Sequence, residues 1–482
     1  MLSSAFLSLL LLVPRAQCAP APHPAPSFGF SAHDHRSSGG QRGPLQATFA
    51  PGVSQASPNM VNQQPTPPLA SGSKLSSPIA PEAAFSQSQG SSIAETPVQP
   101  LVMAYYPDWV EASFPPEKID YCRFDWIDYA FAIPTKDFDL AWDSENSPNI
   151  LRRLVAGARP CGTKVKLSIG GWTGSKHFSS AVATDDTRRR FVDNIVKVFT
   201  SFALHGVDID WEYPGHEGAG GNHVSAADSE NFVLFLRLLR DALPVGSSIT
   251  AAAQTSPFTD GSGQPSKDVS PFAHILDWIL IMNYDVWSSS PLPGPNAPMF
   301  DHCQNSTQPE ANAVAAYDAW TKAGFPASKL VLGVPSYGYV SQSSASSLRQ
   351  RADFGIRGNR MRSFESRSKV VGEDGGDGQV QFRALVEQGA LLPPSAGSSS
   401  FDGANGFTRE WDECSATPLL RSQSAHQLIS YDDPTSLGMK ATFAKKMGML
   451  GVNMFDIHGD TDDWVLTSAL RTALGLSNNR AG

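Results

Sequence analysis

Residues 205–215 read HGVDIDWEYPG, a run that sets Asp208, Asp210 and Glu212 two residues apart among apolar neighbours. If the run is a β-strand, its side-chain period of two places all three carboxyls on one face, about 7 Å between neighbours, and Val207, Ile209 and Trp211 on the other. Like charges crowded into a low-dielectric interior raise at least one pKa, so that a proton is shared or retained. A carboxylic acid kept neutral in this way can protonate a leaving group at neutral pH. Other readings of the same residues compete. A half-exposed strand with a polar outer face gives the same alternation. A calcium-binding EF-hand loop starting at Asp208 needs glycine at its sixth position and glutamate at its twelfth, where the chain has Tyr213 and Ala219. Asp208 and Asp210 could flank a divalent ion in a nucleotide-sugar transferase, but no phosphate-binding signal accompanies them.

The elements that would have to position these carboxyls recur along the chain. Short β-rich runs begin at 101 (LVMAYY), 126 (WIDYAFA), 164 (KVKLSIGG), 206 (GVDIDWE), 249 (ITAAAQ), 278 (WILIMNYD), 329 (KLVLGVPSYG) and 449 (MLGVNMFD). Amphipathic stretches separate them; SENFVLFLRLLRDAL starts with a capping residue at Ser229 and aligns Phe232, Phe235, Leu236 and Leu239 on one stripe. Eight alternating βα units predict an α/β fold, a (β/α)8 barrel in which the acids point inward and Glu212 ends a strand, where barrel enzymes place their chemistry. An open doubly wound sheet would want a glycine-rich phosphate loop after its first strand, and YYPDWVEAS is unlike one. The gap between the seventh and eighth strands is too long for one helix. Its segments KVVGEDGGDGQVQFRALV and GFTREWDECSATPLL carry turn and strand signals, so a small α+β insertion is expected over 341–430.

Residues 1–18 read as a secretory signal peptide, with an apolar stretch from Ala5 to Val13 and small residues at Ala16 and Cys18. Residues 19–99 are rich in Pro, Ser, Gly, Ala and Gln and cannot bury enough surface to offset their conformational entropy, so a disordered segment is expected there, with the barrel over 100–476. No later run reaches the ~18 apolar residues that a membrane span needs. A formal charge of −9 offers no excess of cations to displace counterions from phosphates, which argues against nucleic acid as a partner. Beyond the signal, Cys122, Cys161, Cys303 and Cys414 form an even set with three possible pairings. The local pairs 122–161 and 303–414 are favoured, in keeping with an oxidising, extracellular or cell-wall location, as is the glycosylation acceptor NST at Asn305.

GVDIDWEYPG resembles the DGxDxDxE signature of glycoside hydrolase family 18, the chitinases. Further pieces follow in order: KVKLSIGGW is similar to the family's SxGG strand, IMNYD to its MxYD strand, FPASKLVLGVPSYG to its seventh strand, and LISYDDPTSLGMKATFAKKMGMLGV to the approach to its eighth. The resemblance covers roughly 100–475 and none of the preceding segment. It implies that Glu212 is the proton donor, Asp210 the acid that turns toward the substrate's acetamide, and Asp208 the buried acid behind it. It also assigns Tyr284 to the acetamide oxygen, with Met282 on the same inward face and Asp285 beside them. Two positions depart from the pattern: His205 stands where the signature has its first Asp, and Phe455 where a tryptophan usually floors the sugar site.

The resemblance also implies the mechanism. Most glycosidases oppose two carboxyls across the scissile bond, whereas the motif has its acids on one strand; family 18 is an exception in which the substrate's own acetamide attacks the anomeric carbon. The function expected is hydrolysis of β-1,4-linked N-acetylglucosamine in chitin or its oligosaccharides, with retention, by a monomer that needs no cofactor and no metal. Tyr105, Phe131, Trp172, Trp287 and Phe455 lie at or beyond strand ends, where rings could stack on neutral sugars. Two alternatives share the fold: a chitin-binding lectin of weak or no activity, and an endo-β-N-acetylglucosaminidase acting on N-glycans.

Overall fold

The computed structural model describes residues 99–349, 369–373, 378–394 and 400–478. The expected signal peptide and the low-complexity segment up to residue 98 lie outside the described residues. Eight parallel strands close into a barrel: β1 Leu101–Pro107, β2 Trp126–Pro134, β3 Lys164–Gly170, β4 Gly206–Asp210, β5 Ser248–Ala253, β6 Trp278–Ile281, β7 Leu330–Pro335 and β8 Gly451–Phe455. Each pairs with its neighbour in sequence, and β8 returns to β1 through Leu101 opposite Gly451. The strands are apolar almost throughout because parallel strands in a barrel are buried on both faces. Met103, Tyr105, Trp126, Trp278, Leu280 and Val331 fill the interior, while the alternate side chains pack under the helices.

The predicted helix after β4 runs Asp228–Ala242 and buries the four predicted side chains. It starts at Asp228 rather than Ser229, and the Asp228 carboxylate fixes that start. It accepts from the Ser225 and Gly215 amides (2.8 and 3.2 Å) and from Ser179 Oγ (2.7 Å), tying the loop after Glu212 to the helix. The Trp211 ring lies 5.2 Å from Phe178 and 5.4 Å from Phe232, so the outward face of β4 is locked to that helix layer. Removing one such buried ring costs about 3–5 kcal/mol.

Between β7 and β8 the chain forms a small α+β insertion. Its antiparallel sheet has the spatial order Gly378–Gln381, Tyr337–Gln342, Gln427–Ser430, Thr417–Ser422, Thr408–Asp412, with a short helix at Phe382–Glu387. The apolar run from 329 to 339 is therefore two strands, and the insertion sheet starts at Tyr337 rather than 341. The break is at Ser336, whose amide donates to the Phe455 carbonyl (2.9 Å) while its hydroxyl donates to the Asp456 carbonyl (2.6 Å), pinning the end of β7 to the end of β8. Disulfides join Cys122 to Cys161 and Cys303 to Cys414. No helix among the described residues is long and apolar enough to cross a membrane.

Candidate active site

Strand alternation turns Asp208 and Asp210 into the barrel and leaves Glu212 just past the end of β4, all three buried. The neighbouring strands set the partners by register: Ser168 lies opposite Asp208 on β3, Gly170 opposite Asp210, and Thr250 opposite Asp208 on β5. Asp208 accepts three hydroxyl bonds, from Tyr105 (2.7 Å) and Ser168 (2.8 Å) on one oxygen and from Thr250 (2.5 Å) on the other. Three donors and no acceptor in contact is the surrounding that suits a carboxylate anion.

Asp210 is different. It is 4% exposed, and its Oδ1 has no hydrogen-bond partner. Burial, then the charges of Glu212, Asp208 and Asp128, push its pKa well above the carboxylate range. Glu212 is pushed up to about 7, first by burial and then by Asp285, against a hydrogen bond from Tyr213 that lowers it. Its backbone is held by Ser175 Oγ, which accepts the Glu212 amide (2.9 Å), and by Asn222, which donates to its carbonyl (3.1 Å).

Glycines make the room. Gly170 has φ +115°, and a Cβ there would sit 2.1 Å from the Asp210 carbonyl oxygen; the next amide, of Gly171, donates to that oxygen at 2.8 Å. On β7, a Cβ at Gly333 would come within 3.0 Å of the Tyr284 ring. Burial, then Asp210, Asp285 and Glu212, raise the Tyr284 pKa, so its phenol stays neutral and able to donate. Asp285 opens one face to the cleft but is otherwise walled by protein. Tyr337 and Tyr339 each donate to its Oδ1 at 2.6 Å, and burial still raises its pKa.

The profile of glycosyl hydrolases family 18 matches residues 101–460. The chain belongs to that family. It is 36% identical over 393 residues to a chitinase-like effector of Moniliophthora roreri, covering 78% of this chain and 94% of that protein. A class V chitinase of Arabidopsis thaliana is 30% identical over 384 residues, 76% of this chain and 87% of that one. Among solved structures, a chitinase from Rhizomucor miehei aligns with a TM-score of 0.64 at 31% identity, over 77% of this chain and 99% of that one. The class V chitinase of Nicotiana tobaccum in complex with NAG4 aligns with a TM-score of 0.62 at 25% identity, over 79% and 100%.

Within this family 18 barrel, Asp208, Asp210, Glu212 and Tyr284 converge on the C-terminal mouth of the strands. Phe455 floors it, 5.4 Å from the Tyr105 ring and 6.0 Å from Tyr284. Met282 packs into the interior cluster below. Tyr105 differs from the stacking ring expected of it: the ring is buried and its hydroxyl is engaged with Asp208, so it supports the acid rather than a sugar. Trp287 is half-buried, 5.9 Å from the Arg349 guanidinium, and packs on Gly294. Trp172 is the open ring of the predicted set, at 53% exposure.

Sequence reasoning passed over Trp109, 56% exposed and stacked on Phe131 at 6.0 Å. Its position just beyond β1 was the available signal. Tyr339 and Ser175 were missed because both act through contacts distant in sequence. His205 lies at the opposite mouth of the barrel, where its Nδ1 accepts the Val165 amide at 3.1 Å and its ring meets Trp126 edge-on at 6.5 Å. Partial burial and Lys164 lower its pKa, so it stays neutral and serves as an acceptor.

Proposed function

We propose that this protein is a secreted chitinase that hydrolyses β-1,4 linkages between N-acetylglucosamine units with retention of configuration, the substrate's acetamide acting as the nucleophile. The observation that carries this reading is the pair formed by a buried, unpartnered Asp210 Oδ1 and a Glu212 pushed up to about 7. Asp210 has an acceptor waiting for an N–H, and Glu212 holds a proton near neutral pH. Glu212 gives that proton to the glycosidic oxygen as the bond to the anomeric carbon breaks, and the acetamide oxygen attacks that carbon from the far side. Asp210 accepts the acetamide N–H on its open oxygen, which eases the build-up of positive charge on the cyclic oxazolinium, while Tyr284 donates to the acetamide group. Glu212, now a carboxylate, takes a proton from water, which opens the ring and yields the β-anomer. Trp109, Trp172 and Phe455 offer apolar faces to the neutral polymer. The two disulfides support an oxidising, extracellular setting.

A second reading has one observation in its favour: a relative over most of the chain carries the name chitinase-like effector. A binder of chitin oligomers without turnover would keep the rings and the pocket but not the proton transfer. One experiment separates the readings. The purified protein is incubated with acetylated chitin oligomers, with fully deacetylated oligomers and with an N-glycoprotein, and products are followed by mass and by NMR of the anomeric proton. The expected result is cleavage of the acetylated oligomers alone, β-anomer first. Loss of the neighbouring nucleophile removes on the order of several kcal/mol of proximity advantage, so deacetylated oligomers should be slower by orders of magnitude. Comparable turnover of both would overturn the mechanism, and binding without products would establish the lectin.

A further inference from the structure

The barrel interior holds a second charged group that the reaction above does not use. Lys166 on β3 points inward and is 1% exposed, the only buried basic side chain on the eight strands among the described residues. Its Nζ lies 3.1 Å from Asp128 Oδ1, the residue opposite it on β2, and 4.5 Å and 5.6 Å from the ring centres of Trp278 and Trp126. Asn453 on β8 donates to the other Asp128 oxygen at 2.7 Å. The ammonium also donates to Thr250 Oγ1 at 2.8 Å, and Thr250 donates to Asp208 at 2.5 Å. A hydroxyl has one proton, so a Thr250 that accepts from Lys166 is oriented to give its own to Asp208.

We propose that Lys166, with Asp128 as its counter-ion, is a positioning residue for the catalytic run: acting through Thr250, it fixes Asp208 as an acceptor beneath the site and sets the field in which Asp210 and Glu212 hold their proton. The inference rests on the reading that those two acids do the chemistry. The ionisable groups facing this core and the acids above it are Tyr105 from β1, Asp128 from β2, Asp208 and Asp210 from β4 with Glu212 and Tyr213 beyond them, and Tyr284 and Asp285 after β6. The segments β5, β6, β7 and β8 carry no ionisable side chain. Asp128 is pushed up to about 6 by burial, against the pull of Lys166, and its charge reaches Asp210. An ionised Asp128 offsets the Lys166 cation; with Asp128 neutral the cation is uncompensated in the core and lowers the pH at which Asp210 and Glu212 take up their proton.

The test needs no turnover, so it stays distinct from a failure of the chitinase reading. Carboxyl carbons of Asp and Glu are labelled with 13C in the full chain and titrated by NMR in the wild type, in Asp128→Asn and in Asp128→Asn/Lys166→Met, with Glu212→Gln for assignment. Asp128→Asn keeps the cation without its counter-ion and the double variant removes the cation, so Asp210 and Glu212 should titrate lower in the single variant by about one pH unit. If the enzyme turns over, the pH limbs of kcat/KM should move in the same order. In the wild type, which needs no variant to fold, the Asp210 signal should show an inflection shared with Asp128. Equal titration in the two variants, or independent one-step curves in the wild type, would overturn the proposal; a purely structural role for Lys166 would change stability and leave both measurements unmoved.

Discussion

Replacing Glu212 by Gln should make the protein more stable where it makes it inactive. Burial pushes the Glu212 carboxyl from its ordinary 4.5 up to about 7. A group whose folded pKa is raised contributes its full stability below the unfolded value and loses it as pH rises to the folded one. Across that window the folded chain holds a proton that the unfolded chain has released, at about 1.4 kcal/mol per pH unit. The loss therefore builds from pH 4.5 and levels off near 7 at about 3 kcal/mol. Gln keeps the shape of the protonated acid at every pH and never incurs this charging cost. It also relieves Asp210, whose pKa the Glu212 charge helps to raise. Chemical unfolding of the wild type and of Glu212→Gln, followed by tryptophan fluorescence at intervals from pH 4 to pH 8, should show two proteins of similar stability at the acid end and a gap that widens toward neutrality. Hydrolysis should be lost throughout, because an amide has no transferable proton of suitable pKa. A gap that is the same at every pH, or a less stable Gln variant at pH 8, would refute the account of Glu212 as an acid held neutral by its surroundings.

Two substitutions restore the family's residue at a departing position and should differ sharply in effect. His205→Asp should leave kcat within about twofold and stability within about 1 kcal/mol, since a carboxylate can accept the Val165 amide as the imidazole does; thermal unfolding and initial rates check both. Phe455→Trp should tighten oligosaccharide binding several-fold by enlarging the stacking face, read by calorimetry on a Glu212→Gln background, and an unchanged affinity would mean that the sugar does not lie on that ring.

The barrel was legible because its strands are buried on both faces and so stand out as apolar runs between amphipathic stretches. The inward acids were legible because a period of two makes a charge on every second residue of such a run hard to explain as surface. What the sequence did not disclose depends on register between strands. Asp128 and Lys166 are far apart in the chain and each looks like a polar position on an alternating strand; only the pairing of β2 with β3 sets them opposite each other. Tyr105 shows the converse error: an aromatic ring at the end of a strand looks like a platform until the hydroxyl is seen bonded to Asp208. The run from 329 to 339 looked like one strand because apolar character continues across Ser336, where hydrogen bonds to the end of β8 redirect the chain.

The same geometry explains why the two departures from the family pattern are unequal. Strand residues rise about 3.3 Å each, so the steps from 205 to 212 come to roughly 23 Å, the depth of the barrel. His205 is therefore separated from the proton of Glu212 by the whole packed interior, and at that range through side chains and a hydrogen-bonded core its charge state has little leverage on the chemistry. Phe455 sits at the other end, its ring within 6.0 Å of Tyr284 and its carbonyl bonded to the Ser336 amide. A substitution there changes the ring presented at the mouth of the barrel beside Tyr284. Chemistry in a parallel barrel lies at the C-terminal ends of its strands, so position along the strand, more than similarity of residue type, decides whether a departure reaches the reaction.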